Sequence, residues 1–440
     1  MRIVQAVGWY FPERLGGTEV YVAALAERLR NLDHDVQIVA PEPGAAAPRQ
    51  YIHEGIPVFR FPIRTPLTRD EAQGRAPVDG SEWFHRWVRA ARPDVVHFHT
   101  LVPGLELDEI KAAKAAGARV IATTHASSLG YVCARGTMLR WGQVLCDGLT
   151  EPHKCAACDL QKRGLPKWAA SAAAAVPVWS SHLGARLPGK LGTALGMPSA
   201  IVFNMARQRE LLAAVDRFVL LTAWSADAVI RNGAPGSKVA VNRLGIGGTF
   251  VRKPGPSIRP TTIPVKFGYL GRFDPIKGLY DLGRALQSLQ DDVPFHFDIR
   301  GPLDTPESRQ VHERLGELLA GDARVTVGPA VPAACVPAHL ASLDVLCCPS
   351  ACLEGGPTVA IEAHAAGTPV VGTRIGGLAE LVTDGRNGRL VPPGDWRALA
   401  TAITEIAGDP RGTVDAWRTA IPAARTMDQV TADYVALYRH

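Results

Sequence analysis

The sequence predicts an α/β protein built from two parallel-sheet domains in tandem, and three observations carry that expectation. Short apolar runs alternate with helix-length segments through the first half of the chain. A stretch rich in Pro and Gly, residues 245–264, then interrupts the pattern, and after it the alternation restarts more cleanly. Apolar strands separated by helices indicate a parallel sheet covered on both faces.

The elements justify themselves in order. Ile3 to Val7 is the first strand, Gly16-Gly17 breaks the chain, and Thr18 is placed to cap a helix through Asn31 with Glu19 in its first turn. Strands follow at Val36–Val39, Asp94–Phe98, Val120–Thr123 and Arg217–Leu221. Residues 126–205, with clustered cysteines and an Ala-rich stretch, read as an insertion. The first domain is thus expected over 1–250 and the second over 260–424, with a closing helix at about 425–440 packing back on the first. In the second domain, strands are expected at Lys266–Phe273, Phe295–Arg300, Val325–Val327, Asp344–Cys348 and Pro369–Gly372. Two such domains predict a cleft between the carboxyl ends of their sheets, where α/β proteins bind ligands.

Composition narrows the function. The 440 residues hold 48 basic and 42 acidic side chains, and this balance of +6 is too mild for a nucleic-acid partner. An anionic small ligand or an anionic membrane surface suits it equally, and an ordinary solvated surface suits it better than either. Met1-Arg2-Ile3-Val4 runs straight into a strand, and the apolar stretch Trp168–Leu187 is broken by Pro177, His182 and Arg186. Neither reads as a signal or a membrane span, so a cytoplasmic enzyme is expected.

The sharpest chemical signal is Pro349-Ser-Ala-Cys-Leu-Glu-Gly-Gly-Pro-Thr-Val-Ala-Ile-Glu362. It reads as a strand end, a Gly-rich turn and a helix whose first position is Pro357, where a missing N–H costs nothing. Free amides of Gly355, Gly356 and Thr358 would favour a phosphate. Glu354 and Glu362 would stand roughly 10 Å apart, one carboxylate for a sugar and one for a ribose diol.

Glu354 and Glu362, with seven residues between them, resemble the paired-glutamate motif of the retaining family-4 glycosyltransferases of GT-B fold, with two Rossmann-like domains. The resemblance extends to Gly271-Arg-Phe-Asp-Pro-Ile-Lys-Gly278, Gly376 to Val382, Asn387 to Val391 and the Gly16-Gly17 loop. It implies a nucleotide-diphosphate sugar as donor and a sugar, lipid-linked or small-molecule acceptor. In that reading Arg272 and Lys277 neutralise the leaving diphosphate. Glu354 binds donor-sugar hydroxyls and Glu362 the ribose. Gly16, Gly17 and the amides from Gly356 through Thr358 to Val359 cradle phosphate, Gly301 ends a strand facing the nucleotide, and His125 contacts the sugar near its reacting carbon. With two cations at the diphosphate, no catalytic metal is expected. A nucleotide-sugar epimerase and a non-catalytic nucleotide-sugar-binding protein are the alternatives.

Cys133, Cys146, Cys155 and Cys158 set the chain apart from the plain family pattern. Their spacing favours a structural zinc, with His153 as an alternative ligand; an iron–sulfur cluster and four unconnected thiols compete. Cys335, Cys347, Cys348 and Cys352 read as small buried residues. The segment 165–205 is expected to form a buried helical hairpin, with a peripheral membrane surface at the inner face as the alternative.

Overall fold

The computed structural model describes residues 1–12, 16–247 and 260–439. The stretch 248–259, most of the expected linker, lies outside the described residues. The chain separates into two compact units: residues 1–136, 147–243 and 427–440 form one, and 137–146 with 244–426 the other.

The first unit is built on an eight-stranded sheet. In chain order its strands are β1 (Arg2–Ala6), β2 (Asp35–Pro43), β3 (Arg49–His53), β4 (Ile56–Ile63), β5 (Val95–Phe98) and β6 (Arg119–Thr123), and then, after a two-stranded ribbon of β7 (Leu139–Arg140) and β8 (Val144–Leu145), β9 (Arg217–Leu220) and β10 (Val239–Val241). The order across the sheet is β10-β9-β6-β5-β1-β2-β4-β3. All pairs are parallel except β3 with β4. That antiparallel hairpin turns on Glu54-Gly55, both at positive φ, as a two-residue turn between twisted strands demands. β1 sits between β2 and β5, so the crossovers diverge from it and leave a crevice at its carboxyl end. The helix Gly17–Asn31 follows β1 and is capped by Gly16, not by Thr18.

The second unit carries β11 (Val265–Leu270), β12 (Phe295–Gly301), β13 (Val325–Pro329), β14 (Val345–Cys348), β15 (Val370–Thr373) and β16 (Gly388–Val391). These form an all-parallel sheet in the order β13-β12-β11-β14-β15-β16. Residues alternate between two cores along each strand. Phe267, Phe297, Val345 and Cys347 pack with Leu282, Leu315 and Ile403 from one set of helices. Leu346, Cys348 and Val370 pack with Leu340, Ala363 and Leu378 from another. This two-sided burial is why the strands read as unbroken apolar runs. Here the order reverses between β11 and β14, which places the loops after those strands side by side.

Among the described residues, no helix is long and apolar enough to cross a membrane.

Candidate functional site

In the second unit, the loops after β11 and β14 are pressed together and bring Lys277 to Glu354. A 3₁₀ turn, Pro275–Lys277, opens with the Asp274 carboxylate accepting the Ile276 N–H at 3.0 Å. Gly278 then takes φ 74° to start the helix Leu279–Gln287. A Cβ at Gly278 would collide with the Pro349 carbonyl oxygen, and the Ala351 N–H donates to the Ile276 carbonyl at 2.8 Å. Only glycine lets the loops approach this closely.

Glu354 Oε1 accepts from Lys277 Nζ at 2.6 Å and from Ser350 Oγ at 2.6 Å. The Glu354 carbonyl takes the Gly377 N–H at 2.7 Å, and the neighbouring Leu353 N–H reaches the Thr137 carbonyl at 3.1 Å. Burial works against the Lys277 ammonium, but the charge and hydrogen bond of Glu354 overcome it and raise its pKa. Arg272, by contrast, keeps an outward guanidinium, 67% exposed and 3.9 Å from Asp274; its carbonyl is fixed by the Tyr269 hydroxyl at 2.7 Å. The pair Lys277–Glu354 and the extended Arg272 thus stand on adjacent loops at the carboxyl edge of the sheet.

The Gly-rich turn differs from expectation in detail. Pro357 is the N-cap, and the helix begins at Thr358 and runs to Ala365. The Thr358 N–H is not free for a phosphate, because it donates to the Gly356 carbonyl at 2.9 Å. The cradle reading therefore rests on Gly355, Gly356 and Val359. Glu362, in the same helix, is half-buried, and burial raises its pKa. Gly301 ends β12 packed on its neighbour: a Cβ there would strike the Gly271 carbonyl oxygen. Its small size thus has a packing cause.

In the first unit, Gly16 and Gly17 form the start of the first helix, and the Glu19 carboxylate folds back so closely on Gly16 that a Cβ would meet it. His125 follows β6 and belongs to a buried polar network that sequence reading missed. His125 Nε2 lies 3.2 Å from His99 Nδ1, and His99 Nε2 lies 2.6 Å from Gln5 Oε1. With an amide oxygen on its Nε2, His99 carries the proton there, and its Nδ1 accepts from His125 Nε2–H. His97 continues the network to Tyr438 and Thr123, each at 2.7 Å, and Thr123 meets Tyr434 at 3.0 Å. The Tyr21 ring stands edge-on to His125 at 4.9 Å. Burial lowers all three imidazole pKa values, His125 to about 4. The signal was present: two histidines, His97 and His99, around a parallel strand that is otherwise apolar.

The zinc expectation is not supported. Among the described residues, no group of three or more His, Cys, Asp or Glu side chains is gathered to hold a metal. Cys155 and Cys158 lie one turn apart on the helix Pro152–Lys162, Cys133 lies in a loop of the first unit, and Cys146 follows the ribbon β7–β8 that belongs to the second. His153 Nδ1 is held by the Ala174 carbonyl at 2.6 Å. Cys347, Cys348 and Cys352 are buried as expected, and burial pushes the Cys348 and Cys352 thiols up to about 12; Cys335 is exposed. The segment 165–205 forms three helices, but its tryptophans face outward: Trp168 is 77% exposed and Trp179 78%.

Comparison with known proteins bears on the two domains and the fold. Residues 264–409 match the family "Glycosyl transferases group 1", and residues 16–154 match "Glycosyl transferase 4-like domain". A Salmonella typhimurium strain LT2 protein named "Putative colanic acid biosynthesis glycosyltransferase WcaL" is 30% identical over 209 residues, 46% of this chain and 49% of its own. The chain thus spans about half the length of the curated relatives it matches. A sucrose-phosphate synthase from Thermosynechococcus elongatus superposes with a TM-score of 0.65 at 19% identity, over 100% of this chain and 98% of its own. Anabaena Alr3699/HepE, solved in complex with UDP, gives 0.63 at 15% identity over 100% of both chains. The fold is therefore GT-B, with a stretch that matches a glycosyl transferase 4-like domain followed by one that matches a group 1 glycosyl transferase domain.

Proposed function

We propose that the protein is a retaining glycosyltransferase that moves a sugar from a nucleoside-diphosphate donor to an acceptor hydroxyl in cell-envelope polysaccharide, glycolipid or small-metabolite synthesis. The observation that carries this reading is the Lys277–Glu354 pair beside Arg272, on the two loops at the point where the second sheet reverses its order. A relative assigned to colanic acid biosynthesis and a structural neighbour holding UDP support the substrate class.

In this reading Arg272 and the Lys277 ammonium face the diphosphate, Arg272 through two nitrogens and Lys277 as a point charge. Lys277 donates through one N–H to Glu354 and keeps two for phosphate oxygens. Glu354 accepts a sugar hydroxyl on Oε2, Glu362 binds the ribose, and Gly355, Gly356 and Val359 add amides. Gly16, Gly17 and His125 contribute from the first unit, and Gly301 shapes the nucleotide loop. The acceptor oxygen attacks the anomeric carbon on the face from which the phosphate departs. The bond from that carbon to the β-phosphate oxygen breaks, and this oxygen takes the acceptor's proton. Positioning and stabilisation of the leaving charge then supply most of the rate, and turnover is expected to persist in the presence of a chelator.

A thermal-shift panel of nucleoside diphosphates and their sugars tests the reading, followed by turnover with the best binder and assignment of the product anomer. Stabilisation by one diphosphate and a product with the donor's anomeric configuration are expected. No shift with any nucleotide, inversion at the anomeric carbon, or isomerised donor without acceptor would refute it.

A further inference from the structure

One face of the first sheet carries a row of polar side chains where a parallel sheet ordinarily buries apolar ones. Parallel register sets Gln5 beside His97 and His97 beside Ile121. With a period of two, His99, Thr123 and His125 continue the row on that same face. Gln5, His97 and His99 are each 0% exposed. Such burial costs free energy unless the groups are paired, and the closing helix Met427–Arg439 supplies partners in Tyr434 and Tyr438. The row then ends on an open nitrogen. His125 is only half-buried, and its Nδ1 has no partner among the described residues.

The hydrogen bonds along the row run in one direction. The Gln5 amide nitrogen donates to the Tyr438 hydroxyl at 3.3 Å, which turns Gln5 Oε1 to His99 Nε2 at 2.6 Å. Tyr438 gives its own hydrogen to His97 Nδ1 at 2.7 Å, and His97 Nε2–H donates to Thr123 Oγ1 at 2.7 Å. His99, with its proton on Nε2, offers Nδ1 as acceptor to His125 Nε2–H at 3.2 Å. Burial keeps both of these imidazoles neutral. Each ring therefore holds one proton, and His125 is left with a bare lone pair on Nδ1. The Tyr21 ring packs against both, 4.9 Å from His125 and 6.1 Å from His99 between centroids.

We infer that Gln5 and His99 are positioning residues that hold His125 in its Nε2–H tautomer and so present the Nδ1 lone pair, not an N–H, to the donor sugar. The inference rests on the glycosyl-transfer reading, in which His125 meets the sugar near its reacting carbon. As the bond to the phosphate oxygen breaks, positive charge grows at that carbon. The lone-pair end of the imidazole dipole stabilises this charge, and the N–H end of the other tautomer opposes it. The charge is small in the bound donor and large in the transition state, so the tautomer acts on kcat more than on KM. Tyr438 acts one step further back by orienting the Gln5 amide, which ties the state of His125 to the seating of the closing helix.

The test joins imidazole nitrogen NMR on the histidine-labelled full chain to steady-state kinetics with the nucleotide sugar found by the binding panel. Proton–nitrogen correlation spectra distinguish the tautomers, and the signals lost in His125→Asn identify that ring among the 13 histidines. The parent should carry the His125 proton on Nε2. Gln5→Met leaves a His99 N–H buried without an acceptor unless both rings move their protons, so His125 should switch to Nδ1–H. His99→Leu removes the His125 acceptor outright and should give the same switch. In both variants kcat should fall by about tenfold with KM changed by less than about twofold. His99→Asn places an amide oxygen where Nδ1 stood and should restore the parent's tautomer and most of its kcat. A His125 proton on Nδ1 in the parent, which needs no variant to fold, would overturn the inference. So would Nε2 protonation unmoved in Gln5→Met, or a switched tautomer with kcat unchanged. The spectra need no donor, so a wrong tautomer sinks this inference alone, whereas a parent with the expected tautomer and no turnover of any nucleotide sugar sinks the glycosyl-transfer reading.

Discussion

Replacing Lys277 by Met removes an ammonium but keeps a side chain of similar length. Two consequences separate cleanly. Towards a bound diphosphate, a unit charge about 4 Å away at an effective dielectric of about 20 contributes roughly 4 kcal/mol. Turnover should therefore fall by about a thousandfold. Towards the fold, Lys277 and Glu354 side chains are 22% and 15% exposed, so Glu354 loses its counter-charge in a largely buried place. Ser350 still donates to Glu354 Oε1, which limits the cost to about 2 kcal/mol, below the range for fully buried pairs. The double variant Lys277→Met/Glu354→Gln removes the stranded charge and should regain most of that stability without regaining activity. Thermal melting reads the first effect, and turnover of the nucleotide sugar identified by the binding panel reads the second. Lys277→Met with turnover within about tenfold of the parent would refute the assignment of Lys277 to the leaving group.

Other outcomes follow from the same geometry. Gly278→Ala should cost about 3 kcal/mol, from its positive φ and the blocked approach to Pro349, whereas Gly321→Ala, at φ 93° with nothing within 4 Å, should cost only about 1–2 kcal/mol by denaturant titration. Burial raises the Glu362 pKa above its ordinary 4.5, so its charged form penalises the fold once pH rises through that value. Glu362→Gln should melt higher than the parent at neutral pH, lose that advantage in acid, and bind the nucleoside diphosphate about tenfold more weakly by calorimetry. His97, His99 and His125 are held neutral below the ordinary 6.5, so the unfolded chain takes up protons first as pH falls. Stability should be full above about 6.5 and drain away towards pH 4, with a shallower pH dependence of melting in His99→Gln.

The strands were legible because a parallel sheet buried on both faces forces continuous apolar runs, as in Val95-Val96 and Val345-Leu346. The β3–β4 hairpin was not, because β3 is a largely exposed edge strand and the turn uses Glu54 where Asn or Asp would have announced it. The loop residues Arg272, Lys277 and Glu354 stood out by pattern, but their ion pair depends on Gly278 allowing two loops to touch, a fact of distance absent from spacing. The helix start near Pro357 shifted by one residue, and with it the availability of the Thr358 amide. The cysteines misled because sequence proximity between Cys133 and Cys158 conceals that residues 137–146 fold with a different unit. The tryptophans of the segment 165–205 misled in the opposite way: an apolar pattern was read as core, while Trp168 and Trp179 stand exposed and Ala170, Ala174, Ser181, Met197 and Ile201 are buried instead.

The ribbon of residues 137–146 has a consequence for anyone who would treat the two halves as interchangeable modules. Its Thr137 carbonyl receives the Leu353 amide, one residue before Glu354, so the second unit is not a contiguous stretch of gene. A fragment cut at residue 260 would leave that amide without its acceptor and the glutamate's backbone secured from one side, by Gly377. Chimaeras that graft the second half of this chain onto a relative must carry the ribbon with it, or the transplanted half arrives with its own keystone left behind.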